Sequence, residues 1–184
     1  MGATRFPPIA RADMSDAQRA LADDISNGPR GGLAGPWTAL LRSPAIGSRF
    51  QLLGEEIRFR ATIAPALKEL AVLLTARNWT SHFEWHMHRQ LALDAGLTSA
   101  VVDAVARGDV PTFTEPDQQA VHSFCTELLE TGRVSDPTFD HTRTLVGEAG
   151  VIELVCTVGY YSLVAFVVNV DHQPVPDDGF MLGT

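Results

Sequence analysis

The 184-residue sequence predicts an all-α protein. Three observations carry this reading. No stretch alternates apolar and polar residues as a half-buried strand does. Helix-start signals recur: Ser15 with Gln18, Ser43 before Pro44, Pro65, Ser81 with Glu84, Thr98, Thr114, and Asp136 before Pro137. The stretches between them carry apolar residues at helical spacing or on every side.

Taken in order, residues 1–14 read as an irregular N-terminal arm, because Pro7 and Pro8 block a helix. The capping box at Ser15 opens a helix that ends before Gly28. A Gly/Pro-rich loop, GPRGGLAG, follows and matches no phosphate-binding motif. Pro44 starts the next helix. Pro65 opens a strongly apolar one ending near Asn78. Ser81 and Glu84 form a second capping box, whose helix stops at Gly96. Shorter helices follow from Thr98 and Thr114, then one from Asp136 and a last long one over residues 148–170. No linker or low-complexity run divides the chain, so residues 1–184 read as a single domain.

Composition narrows the function. The chain is 45% hydrophobic and carries a net charge of −8. Nucleic-acid binding calls for a basic face, and no Lys/Arg cluster exists. A small anionic substrate is compatible, since a few local arginines suffice for one carboxylate. Cys125 and Cys156 stand far apart, neither in a CxxC, and read as small hydrophobes in a reducing cytoplasm. The N-terminal stretch has no signal-peptide core, and Phe6 breaks the myristoylation pattern after Met1–Gly2. Residues 151–170 are long and apolar enough to span a bilayer, but they contain Glu153 and Asn169 and are flanked by Glu148 and Asp171. They read as a core or interface helix, with no membrane partner.

The segment KELAVLLTARNWTSHFEWHMHRQLALDAG, residues 68–96, concentrates the chemistry. At 3.6 residues per turn, Ser81, Glu84 and His88 fall within about 60° of one another, on the face that carries Ala92 and Ala95. That face packs inward. Glu84 and His88 are an i, i+4 pair. A neighbouring carboxylate and burial pull an imidazole's proton affinity in opposite directions, the situation a general acid/base needs. Glu69, on the preceding apolar helix, is expected to be buried too and to face the pair across a short antiparallel connection. Plainer readings stand beside this one. Glu84 completes a capping box, His88 is a satisfied core histidine, or Glu69 pairs structurally with Arg77 or Arg58. His82 and His86 share an i, i+4 spacing but lie away from His88, with no third ligand, so no metal site is expected.

These residues also resemble a known family. Glu69, Arg77 and Phe83-Glu84-Trp85-x-x-His88, followed by LALDAGL, look like the carboxymuconolactone decarboxylase family. GPWTALLRSP and IELVCTVGYYSLVAFVVNV look like its longer members. The resemblance implies an alkylhydroperoxidase D-like helical bundle. It also implies a cofactor-free decarboxylase, or a related acid/base lyase or isomerase, acting on a small carboxylated lactone. His88 would be the general acid/base, Glu84 its orienting partner and Glu69 its support. Ser81, Trp85 and Arg77 would contact substrate. In the alkylhydroperoxidase D pattern a Glu is followed twelve residues on by CxxC, and by a His four beyond. Here Ser81 and Glu84 hold the cysteine places, so thiol peroxidase chemistry is not expected. The alternative from another class is a non-catalytic helical scaffold or small-molecule-binding protein.

The apolar helix over residues 151–170 and the resemblance both point to a homo-oligomer, a trimer first, with dimer or hexamer as alternatives. Phe166→Asp should then lower the oligomeric state or unfold the chain, as read by light scattering at micromolar concentration. A well-folded monomer of the unmodified protein would contradict this.

Overall fold

The computed structural model describes residues 4–176, 179 and 181–183. Among the described residues there are eight α-helices, one turn of 3-10 helix and no strand, as an all-α sequence predicts. The chain falls into two compact units. One comprises Met1–Ala61 with Val167–Pro174, the other Thr62–Phe166 with Val175–Thr184. No Gly- or Ser-rich run marks the junction at residues 61–62, so composition does not reveal the division.

In the first unit the arm is not wholly irregular, because Arg11–Asp13 forms a 3-10 turn. The arm is tied down where the Phe6 amide donates to Asp171 Oδ1 at 2.7 Å and the Arg5 amide to the Asp171 carbonyl at 2.9 Å. Helix α1 (Asp16–Asn27) starts with the complete capping box: Ser15 accepts from the Gln18 amide, and Gln18 accepts from the Ser15 amide. Helix α2 (Trp37–Leu40) is a single turn, too short to show a period in sequence. Helix α3 (Pro44–Phe59) begins with Pro44 at its first position, and Ser43 makes no side-chain cap bond. Leu21, Ile25, Trp37, Leu41 and Phe50 are buried.

The second unit is built around α4 (Pro65–Asn78), which packs against α5 (His82–Asp94), α6 (Ser99–Arg107) and α7 (Pro116–Thr131). A helix surrounded by others must be apolar on most sides. Leu70, Ala71, Val72, Leu73 and Ala76 accordingly have no exposed surface. Thr98 caps α6 as expected, accepting from the Val101 amide. Thr114 does not cap α7: Glu115 is the capping residue, without a side-chain bond, and Pro116 presets the first turn.

The two helices expected over residues 136–170 run on as one element, α8 (Asp136–Asp171), broken at Gly147 with φ 74° and ψ 172°. That left-handed φ is open to glycine and strained for other residues. Beyond the break, the Glu153 carboxylate accepts from the Thr62 and Ile63 amides at 2.9 Å and from the Thr62 hydroxyl at 3.0 Å. Partial burial works against its charge, yet the two amides and the hydroxyl hold it below the usual carboxylate range. The residue that argued against a membrane span thus anchors the entry to α4. By length and composition α8 is apolar enough to cross a bilayer, and half of its most apolar window is buried. Leu154, Val158, Tyr161 and Ala165 form the buried side, whereas Ile152, Val155, Leu163 and Phe166 are exposed.

Candidate active site

The turn from α4 to α5 sets the site. The Ser81 amide donates to the Ala76 carbonyl at 2.8 Å and the Thr80 amide to the Arg77 carbonyl at 3.1 Å. These are the two bonds of a Schellman ending, which needs a left-handed residue between them. Thr80 fills that place with φ 46°. A β-branched residue there is a genuine outlier, held by its surroundings at a cost of about 1–3 kcal/mol. Because glycine is absent, the sequence does not announce this turn. Its consequence is that Ser81 enters α5 at φ −87° and ψ 88°, and its side chain caps nothing. The second capping box expected from sequence is therefore not formed. Ser81 has no exposed surface, and its hydroxyl oxygen meets no hydrogen-bond partner.

With its capping role gone, Glu84 is left as a carboxyl group inside the protein. It is 2% exposed, and neither of its oxygens meets a hydrogen-bond partner. Burial pushes its pKa up to about 8; the nearby Ser81 hydroxyl pulls weakly the other way, although the geometry of a full hydrogen bond is not reached. An uncompensated buried carboxylate is costly, and the group avoids the cost by keeping its proton. At neutral pH Glu84 is thus a carboxylic acid.

His88, one turn further along α5, does not pair with Glu84. Its Nδ1 lies 2.7 Å from Glu69 Oε2 on α4, and the two side chains are 6% and 8% exposed. The i, i+4 spacing had paired Glu84 with His88, and the family resemblance had made Glu84 the orienting group and Glu69 the support; in the structure Glu69 holds the imidazole and Glu84 does not. Glu69 reaches the ring from the neighbouring helix, whereas no hydrogen bond joins Glu84 to His88 along α5 itself. A carboxylate on Nδ1 fixes the ring's tautomer and leaves Nε2 for another partner. Tyr161 of α8 packs edge-on against the His88 ring, with centroids 4.9 Å apart. Sequence reasoning did not single it out; the available signal was a pair of tyrosines, Tyr160 and Tyr161, in an otherwise aliphatic run. Trp85 is wholly buried.

Arg77 is not part of this cluster. It lines a separate cavity with His122 and Thr126, in which none of the residues just described takes part. His82 accepts a bond from the Leu182 amide at 3.2 Å. Among the described residues no group of three His, Cys, Asp or Glu could hold a metal. Cys125 has no exposed surface, and burial pushes its thiol up to about 12, far from a reactive thiolate. The arrangement can therefore donate a proton from Glu84 and exchange one at His88 Nε2, both on buried side chains.

No protein-family model matches the chain, and no curated protein matches it. Solved structures do. An alkylhydroperoxidase AhpD core, an uncharacterized peroxidase-related protein from Ralstonia eutropha, superposes with a TM-score of 0.77 at 14% identity, over 97% of this chain and 95% of its own. The debrominase Bmp8 superposes with a TM-score of 0.72 at 14% identity, over 95% of this chain. One of its structures is of a variant in complex with 2,3,4-tribromopyrrole, of which 92% is covered; the other is the apo form, of which 93% is covered. This chain therefore has the AhpD-like all-α fold.

A carboxyl whose pKa is raised on folding binds its proton more tightly folded than unfolded. It lowers stability as pH rises from about 4.5 toward about 8, and the loss is constant above that. At roughly 1.4 kcal/mol per pH unit, wild type should lose about 3 kcal/mol relative to Glu84→Gln between pH 4.5 and pH 7. Urea denaturation at a series of pH values measures this. Parallel stability curves for the two proteins would show that Glu84 ionises normally.

Proposed function

We propose that the chain is a cofactor-free enzyme of acid/base chemistry, a decarboxylase or related lyase or isomerase acting on a small carboxylated lactone or similar conjugated carboxylate. The observation that carries this is Glu84, a buried acid without a partner, on the same helix face as an imidazole held by Glu69. Perturbed carboxyls of this kind are what proton delivery at neutral pH requires. That a debrominase of the same fold is seen with a small heterocycle supports a small-molecule site in this architecture.

In the decarboxylation, the bond between the substrate's carbon and its carboxylate breaks. The electron pair passes into the conjugated carbonyl and CO2 leaves. Protonation at carbon by Glu84 completes the exchange, and solvent returns the proton to Glu84. Glu69 holds the His88 Nδ1–H and keeps the imidazole in register, so Nε2 is an acceptor that can take a proton from a substrate hydroxyl or a water. Buried Trp85 and Tyr161 exclude water, which favours loss of a charged carboxylate. Nothing in this scheme uses a thiolate, a metal or a cofactor. The exposed apolar row on α8 supports the further reading that the chain works as a homo-oligomer.

The test is a panel of carboxylated lactones, followed by CO2 release and ultraviolet absorbance. Glu84→Gln and His88→Gln should each lower kcat by about 100-fold or more. The wild-type rate should fall as pH rises through about 8, because the acid is then lost. Thiol-dependent peroxide turnover that survives Cys125→Ser and Cys156→Ser, with no lactone consumed, would overturn the proposal.

A further inference from the structure

A second feature of the same unit is independent of the His88 centre. Arg77, near the C-terminal end of α4, lines a cavity of about 310 Å³. Its guanidinium makes no hydrogen bond or ion pair with any described residue, and its Nε is buried without a partner. Gly108, in the left-handed conformation that ends α6 at φ 76°, lies beside it. A Cβ on Gly108 would stand 3.3 Å from the Arg77 terminal nitrogen and 3.7 Å from Nε, so the guanidinium lies close against this turn. Leu74, Val105 and Leu129 give the cavity apolar walls, and Thr126 and His122 give it hydrogen-bonding groups. Its volume is that of about ten waters at roughly 30 Å³ each, room enough for a small aromatic acid.

We propose that this cavity binds a small carboxylate with an apolar body, its carboxylate gripped by the Arg77 guanidinium and its body held between Leu74, Val105 and Leu129. A half-buried guanidinium without a counter-charge is the unusual feature here, since charges withdrawn from water are normally paired. Its planar fork fits a carboxylate through two parallel bonds. The acidic groups at the cavity do not supply that charge. Asp109 is held by Arg107 at 2.7 Å, and exposed Glu130 stands at the lining without pairing to Arg77. Burial holds His122 below its usual value, so it offers a neutral N–H beside the anion, steadied by the Phe113 ring 5.4 Å away. Glu130 opposes an anionic ligand, which gives the proposal a second, opposite sign to check.

The probe is benzoate, titrated into the 15N-labelled full chain and followed by amide NMR, with benzyl alcohol as the uncharged counterpart. Benzoate should shift the amides of Gly108, Val110 and Thr126, and benzyl alcohol should not. Arg77→Met should weaken binding at least tenfold, with the rest of the spectrum reporting that the fold is kept. Glu130→Gln, a change at an exposed position, should tighten it two- to threefold. Benzoate shifts confined to α5, equal binding of benzyl alcohol at Gly108, or an affinity unaltered in both variants would overturn the proposal. Failure here leaves lactone decarboxylation at His88 untouched, because the two sites are read from different amides.

Discussion

The hydrogen bond between Glu69 and His88 joins two helices that meet through one tight turn, and the local chemistry follows from how that turn is made. A Schellman ending on α4 forces Thr80 into a left-handed conformation and delivers Ser81 to α5 with its side chain turned inward. An ordinary capping start would have spent Ser81 and Glu84 on backbone amides at the surface. Here both are buried, and the 2.7 Å bond from Glu69 fixes the imidazole one turn further on. Four polar groups then share an apolar interior, and only Glu69 and His88 satisfy each other. Of the other two, Ser81 is neutral in any case and Glu84 keeps its proton.

This arrangement is unfavourable for stability and useful for chemistry. A carboxyl held neutral by burial is a proton donor matched to neutral pH. It is also a group that a more stable protein would replace, because nothing bonds to it. Local strain at Thr80 belongs to the same account: residues in rarely populated conformations persist where the surrounding structure over-determines them, and they gather at sites that do work. The anchoring of the α4 entry by Glu153, through two amides and a hydroxyl, is the kind of support that holds such a site in place.

Much of this was legible in the sequence. The inward face shared by Ser81, Glu84 and His88 follows from helical spacing, and the burial of Glu69 from the apolar residues around it on α4. Pro44, Pro65 and the Ser15 box marked helix starts that the fold uses. What spacing does not contain is the angle at which two helices cross. For that reason Glu84 looked like the partner of His88, when Glu69 from the neighbouring helix reaches it. Arg77 looked like a substrate contact through the family resemblance, yet it lines a different cavity. Tyr161 sits some seventy residues from His88 in sequence, and nothing local connects the two. The Ser81–Glu84 spacing satisfied a capping rule that the preceding turn, with no glycine to reveal it, overrides.

The central claim is that Glu84 is a neutral acid at physiological pH. Infrared difference spectroscopy of wild type against Glu84→Gln, across a pH series, reads it directly. A neutral Glu84 gives a protonated carboxyl C=O band, present at pH 7, absent from the variant, and fading as pH rises through about 8. A band that is lost near pH 4.5, as for an ordinary glutamate, would contradict it.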